Sequence, residues 1–319
     1  MSPPPFPGLA TLALLDSAED RLSGASSLAT FSDPRSTSPA FVTNRCGFPD
    51  RPRTADMSDR ADCALRAAEA GAEVAVAAFR GDLDVERKSG KTDLVTDADR
   101  DAQRQVTATI REAYPDDPVV GEEDEEASAV PEEGPAWIID PIDGTNNYVR
   151  GVPVWTTSVA AAVDGEAVAG ASVCPALGDT FLLENGTARF NGEALSVSDR
   201  TDPETFAVAP TMWWEFDRRE EYVGACRGIL ERFGDLRRYG SAQYALGLCA
   251  TGALEAVVTN VEAFPWDSVV GAGLVEAAGG VVTDIEGEPW RHDSTGLVAS
   301  NGEAHEAVLS AAREAHRER

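Results

Sequence analysis

The 319-residue chain carries 27 Lys+Arg against 55 Asp+Glu, a formal charge of −28, with 43% hydrophobic and 7% aromatic residues. That length and apolar fraction allow one large domain or two ordinary ones with a real core, and they exclude a wholly disordered chain. So negative a surface repels nucleic acid and anionic lipid, which makes neither a direct partner without a bridging cation.

Residues 1–56 hold five Arg and six acids, leaving 22 bases and 49 acids to residues 57–319. The acidity therefore belongs to the second part alone. Its two lysines, Lys88 and Lys91, lie close together, and every other base is Arg. A dense carboxylate surface with almost no Lys fits a salt-rich, halophilic interior, and low salt should destabilise it through self-repulsion. Eight Pro and eight Ser fall in residues 1–56 without a periodic apolar pattern. This stretch reads as a disordered extension, with Met57 the expected native start. A secretory signal at Leu9–Leu15 lacks a preceding basic residue and is cut short by Asp16. No run approaches the ~18–20 apolar residues of a membrane span. Five cysteines without a CxxC pair read as reduced, mostly buried thiols of a cytoplasmic protein.

In chain order, Ser58 is placed to cap a helix running to about Arg80, with Ala61, Leu65, Ala68, Ala72, Val76 and Phe79 as its buried stripe. A second helix fits 97–114, with Ala102, Val106, Ile110 and Ala113 on one side, and Pro115 stops it. After an acidic loop, 136–139 is a short strand ending at Asp140-Pro-Ile-Asp-Gly-Thr145, and strands at 154–163, 167–173 and 179–184 form a meander. Beyond Pro203 the pattern alternates: strand 206–209, helix 217–233, strand 236–239, helix 241–251, strand 254–258, helix 267–278, strands 281–284 and 297–300, helix 303–316. A soft boundary near 203 divides an α+β half (57–203) carrying the metal motifs from an α/β half (204–319) completing the site.

Four segments put a carboxylate at the end of a regular element, where a buried acid is costly without a cation: 93–99, 121–124, 140–145 and 265–267. In Asp140-Pro-Ile-Asp143 a strand ends on one carboxylate, Pro141 shapes the turn, and the second carboxylate arrives three residues on, so both can face one hole. Hard oxygen donors in such number select Mg²⁺ or Mn²⁺ over zinc. Gly144 lets a phosphate approach the backbone, and the N–H groups of Gly144 and Thr145 suit its oxygens.

These motifs, in this order, resemble the inositol monophosphatase family over residues 57–319. Trp137 to Tyr148 is similar to the family's first signature and Trp266 to Gly280 to its second. The resemblance implies an α/β fold of layered α-β-α-β-α type, Mg²⁺-dependent hydrolysis of a phosphate monoester, a homodimer, and lithium inhibition. It implies two or three Mg²⁺, with Mn²⁺ possible, held by Glu122, Asp140, the Ile142 backbone oxygen, Asp143 and Asp267. Glu122 and the Asp99/Thr145 pair would orient the attacking water, with Lys88 on a loop over the site. The substrate side would comprise Glu122, Asp143, Gly144, Thr145, Gly240-Ser241-Ala242, Asn260 and Asp267. Seven residues before Asp267 the inositol enzymes place a Glu that binds inositol hydroxyls; here that position is Asn260, with Glu262 two residues on.

Ordinary roles stand beside these. Thr96 and Asp99 have capping-box spacing, Glu122 lies in a run that charge patterning reads as solvated, and Asp267 could cap a helix. His292, His305 and His316 lack ligand spacing and read as surface residues; Trp213-Trp214 reads as core or interface. The leading expectation is a phosphatase acting like an inositol-1-phosphate phosphatase on a small phosphorylated polyol or sugar, with no nucleic-acid or membrane partner. Fructose-1,6-bisphosphatase comes second, then a nucleotide 3′-phosphatase, then a catalytically silent metal-binding protein.

Overall fold

Small residues decide how the first two helices pack. In the computed structural model, which describes residues 54–81, 83, 85–87, 94–124, 129–212 and 214–316, α1 spans Thr54–Ala78 and α2 spans Asp97–Ala113. The helix α1 buries Ala61, Ala64, Ala68, Gly71, Ala72 and Ala75, whereas Val76 and Ala113, both expected in buried stripes, are exposed. A Cβ on Gly71 would lie 2.5 Å from a Val106 methyl, so α1 and α2 touch where a glycine removes the side chain. Ser58 lies inside α1 rather than capping it, and its hydroxyl donates to Glu184. Residues 1–53 of the expected 1–56 extension lie outside the described residues, as do Lys88 and Trp213, whereas Thr54–Asp56 belong to α1.

Two sheets organise the rest. A seven-stranded sheet runs β3 (Val119–Gly121), β4 (Pro135–Asp143), β5 (Thr156–Val163), β6 (Glu166–Cys174), β7 (Asp179–Glu184), β8 (Thr187–Phe190) and β9 (Glu193–Ala194) in chain order. Here β3 and β4 are parallel and the other pairs antiparallel. The meander therefore extends two short strands further than the apolar pattern indicates. A two-stranded ribbon, β1 (Val85–Arg87) with β2 (Leu94–Thr96), precedes α2.

The second sheet has the order β11-β10-β12-β14-β13, with β10 Ala207–Pro210, β11 Asp235–Leu236, β12 Ala256–Thr259, β13 Val281–Thr283 and β14 Leu297–Ser300. Strand β10 runs parallel to β11 and β12. Its helices are α4 (Arg219–Leu230), α5 (Ala242–Ala250), α6 (Pro265–Ala277) and α7 (His305–Arg313); α3 is the short Thr145–Val149.

Side-chain alternation assigns the layers. Val159 and Ala161 of β5 pack with α1 and α2, while Ala160 and Ala162 pack toward α5 and α6. In β12, Val257 faces α5 and α6, and Ala256 and Val258 face α4 and α7. The result is α1/α2, seven-stranded sheet, α5/α6, five-stranded sheet, α4/α7: the α-β-α-β-α sandwich the resemblance implies. With both faces covered, the central strands read as continuous apolar runs.

Candidate active site

The end of β4 meets the starts of α2, α5 and α6. In a regular strand, residues three apart point to opposite faces, so Asp140 and Asp143 would diverge. They do not. Asp140 pairs with Ser158 and Asp143 with Thr156, so Pro141 and Ile142 together oppose the single residue Thr157, a bulge that returns both carboxylates to one side. The Thr157 hydroxyl donates to the Pro141 carbonyl at 2.7 Å and holds the bulge. The strand thus continues through Asp143 rather than stopping at Asp140.

Asp267 comes from the first turn of α6, opened by Pro265 at the position where a missing N–H costs nothing. It is not the cap, which is Phe264. Carboxylate oxygens of Asp140, Asp143 and Asp267 lie within 4.8 Å of one another. Glu122, the residue after β3, sits beside Asp140 because Gly121 pairs with Ile139 in the parallel register.

Asp140 carries the decisive feature. Both its oxygens are buried and neither has a hydrogen-bond partner among the described residues. Burial, then the charges of Glu122, Asp143 and Asp267, hold its carboxyl well above the usual carboxylate range. Glu122, another acid, stands within hydrogen-bonding reach, and the two can bond only if one of them keeps its proton. A group this costly persists where a cation completes it, and the donors gathered here are hard oxygens.

Asp143 differs. Burial raises its pKa, but three donors oppose that: Ser241 Oγ at 2.5 Å, Gln243 N at 2.7 Å and Ala242 N at 3.0 Å, all at the positive N-terminus of α5. Ser241 and Ala242, expected to meet substrate, therefore grip Asp143 together with Gln243. Gln243 then ties α5 to α6, donating to Trp266 O at 2.6 Å and accepting from Gly271 N at 2.7 Å.

On α2, Asp99 Oδ2 accepts from the backbone and hydroxyl of Thr96 at 2.8 and 2.6 Å. Its Oδ1 lies 3.3 Å from Thr145 Oγ1, which is also 3.2 Å from the Ile142 carbonyl. Helix capping and the Asp99/Thr145 pairing coexist. Gly144, at φ 100°, lets β4 turn into α3; a Cβ there would stand 3.0 Å from Gly240 O. Asn147 binds both Val154 O and Tyr239 O at 2.7 Å, holding the 239–241 segment against α3.

Asn260 is brought elsewhere. Its amide donates to Glu221 Oε2 at 2.6 Å and accepts from Trp214 Nε1 at 2.7 Å, and Arg218 grips the same Glu221 through two nitrogens. Thus a buried polar chain, not an open contact, occupies the Asn260 position. The roles of Glu221, Gln243 and Asn147 were missed in the sequence, where each is one polar residue among many. His305, expected on the surface, is partly buried between Ser300 Oγ and Thr283 Oγ1 at 2.8 and 2.9 Å.

A five-layered sandwich with a carboxylate cage at the ends of its elements places the chain among the metal-dependent phosphoric monoester hydrolases. Residues 56–317 match the family model described as the inositol monophosphatase family, and the chain belongs to that family. It is 34% identical to a fructose-1,6-bisphosphatase/inositol-1-monophosphatase of Thermotoga maritima, over 72% of this chain and 86% of the relative. It is also 34% identical to a histidinol-phosphatase of Streptomyces coelicolor, with the same two shares covered. Among solved structures, a Thermotoga maritima inositol monophosphatase superposes with a TM-score of 0.74 at 32% identity, covering 82% of this chain and 99% of that one.

Proposed function

We propose that this phosphatase acts on a small phosphorylated polyol or sugar, with Glu122, Asp140, the Ile142 carbonyl, Asp143 and Asp267 as its metal-binding set. The observation that carries the reading is the buried, unpartnered carboxylate of Asp140 converging with Asp143 and Asp267. These oxygens fit Mg²⁺ first and Mn²⁺ second. Two such ions held by these residues would offset the charge of the phosphate dianion and lower the pKa of a bound water, so that it could give up a proton and act as the nucleophile. Three donors orient the Asp143 carboxylate. Thr145 Oγ1 accepts a proton from the incoming water as its own passes to Asp99 Oδ1. The N–H groups of Gly144 and Thr145 are suited to the phosphate oxygens.

Asn260, with both ends of its amide engaged, supplies nothing to inositol hydroxyls. That observation, with the name of the Thermotoga relative, favours fructose 1,6-bisphosphate as a second substrate beside inositol 1-phosphate. The Streptomyces relative adds histidinol phosphate, which sequence reasoning did not consider. The test is phosphate release from inositol 1-phosphate, fructose 1,6-bisphosphate, histidinol phosphate and adenosine 3′,5′-bisphosphate in molar salt with Mg²⁺. Turnover of a sugar or polyol phosphate that Asp143→Asn abolishes supports the reading. Mg²⁺ binding without hydrolysis of any of the four supports a silent metal-binding protein instead.

For the homodimer that the family resemblance implies, we propose the outer face of α4 as the interface. Val223 and Leu230 are 47% and 64% exposed there, and Phe216, just ahead of the helix, is 70% exposed. Along 219–230 two Arg and two Glu cancel, so two copies meet here without the repulsion that the rest of this acidic surface imposes. Sedimentation of Val223→Asp/Leu230→Asp as a monomer beside a dimeric wild type supports this; an unchanged dimer removes it. Among the described residues no helix is long and apolar enough to cross a membrane. Cys63, Cys174, Cys226 and Cys249 are free thiols, which supports a reducing, cytoplasmic setting.

A further inference from the structure

The run Gly121-Glu-Glu-Asp124 is not a solvated acidic tail but a turn folded onto α2. Gln103, 7% exposed on the buried face of α2, accepts from Glu123 N at 2.9 Å and donates to Asp124 Oδ1 at 2.8 Å. Asp124 Oδ2 accepts in turn from Gly121 N at 2.9 Å, and Asp124 N donates to Gly121 O at 3.3 Å. A Cβ on Gly121 would stand 2.4 Å from Gln103 Nε2, so the glycine leaves room for the amide. Glu122 is enclosed in this ring of bonds while its own N–H pairs with Ile139 O at 3.1 Å.

An anchor of this kind answers a physical need. Before any cation arrives, the negative charges of Asp143 and Asp267, joined by Asp140 whenever it ionises, push the Glu122 carboxylate away from the position it must hold. Resistance has to come from groups outside the cage. Gln103 lies one helical turn after Asp99, so a single face of α2 sets both the Asp99/Thr145 pair and the Glu122 turn.

We propose that Gln103 and Asp124 form a clamp that positions Glu122 for metal, and that its donor and acceptor arrangement, more than its bulk, sets Mg²⁺ affinity. The clamp rests on the proposed role of Glu122 as a ligand. It has a distinctive signature. Gln103→Glu sets two acceptors against each other, and Asp124→Asn sets two donors against each other unless the Gln103 amide turns over and abandons Glu123 N. Combined, the two substitutions restore every bond with the polarity of one reversed. The new amide nitrogen at position 124 donates to the new carboxylate at position 103, which still accepts from Glu123 N, and the amide oxygen at position 124 still accepts from Gly121 N. The total charge is unchanged.

The experiment is calorimetric titration of the full chain with Mg²⁺, alongside melting of the metal-free protein, for wild type, Glu122→Gln, both single variants and the double. We expect each single variant to bind Mg²⁺ about 10-fold or more weakly, the size of effect outer partners of a ligand usually have. The double variant should recover to within about 3-fold of wild type, whatever happens to Tm. Asp124 is exposed, so Asp124→Asn reads on the clamp even where Gln103→Glu lowers Tm. Single variants that bind like wild type while Glu122→Gln does not, or singles that weaken with no recovery in the double, overturn the clamp and leave the Glu122 assignment standing. Wild-type Mg²⁺ affinity in Glu122→Gln overturns that assignment and the clamp with it.

Discussion

Removing the Ser241 hydroxyl should cost this enzyme twice from one atom. Ser241 Oγ donates to Asp143 Oδ2 at 2.5 Å, with both residues buried, and the same oxygen accepts from Tyr244 N at 3.2 Å as the N-cap of α5. A hydrogen bond to an ionised partner contributes about 1.5–3 kcal/mol, and an N-cap about 1 kcal/mol. Because the two share an atom they are not independent, and we expect Ser241→Ala to lose about 2–4 kcal/mol with Mg²⁺ present. In a domain of this size that is a fall in Tm of roughly 4–16 °C. Ser241→Thr keeps the hydroxyl and should stay within about 1 kcal/mol of wild type. Urea unfolding in Mg²⁺ measures both. Ser241→Ala within about 0.5 kcal/mol of wild type would refute the view that α5 holds Asp143 in place.

Three further outcomes are expected. Asp140→Asn removes a buried charge crowded by three acids and offers Glu122 a donor, so the metal-free chain should melt higher than wild type while its stabilisation by Mg²⁺ disappears; a lower metal-free Tm contradicts this. Burial lowers the pKa of His305 below its ordinary 6.5, the smaller pull of Glu306 acting the other way. The unfolded chain then takes up the proton first, and stability is lost as pH falls through 6.5 toward the folded value. His305→Gln should flatten that acid limb in pH-dependent urea unfolding, and an unaltered slope would count against it. With 55 acids against 27 bases, Tm should rise from dilute buffer to molar KCl, and a flat response would remove the self-repulsion account.

Much of the site was legible because its acids sit in short motifs at the ends of elements whose periodicity is clear. Asp140, Asp143 and Asp267 stood out as candidates on that ground, and the order of the motifs, through the family resemblance, singled them out as a metal-binding set. What escaped has physical reasons. Pattern reading treats Pro141 as a strand terminator, whereas pairing with β5 turns it into a bulge, and pairing is a long-range property. A run of acids reads as solvated because nothing local reveals that Gln103, about twenty residues earlier, folds the turn down. Val76 has the right spacing for burial in α1, but Gly71 and a row of alanines draw the helix in on another side. Asn260 looked like a substrate contact because its position was judged relative to Asp267, while its partners Trp214 and Glu221 come from a different part of the chain. The alternation of helix and strand past residue 203 made a layered α/β half readable, while the five-layer order came from the family resemblance.

Mn²⁺ replaces Mg²⁺ among oxygen donors and scatters anomalously, so diffraction from a crystal soaked in Mn²⁺ tests the cage directly. We expect anomalous density about 2.0–2.2 Å from carboxylate oxygens of Asp140, Asp143 and Asp267, lost from Asp140→Asn crystals. Density confined to surface acids, with the Asp140 oxygens still lacking any partner, would contradict the metal assignment at its root.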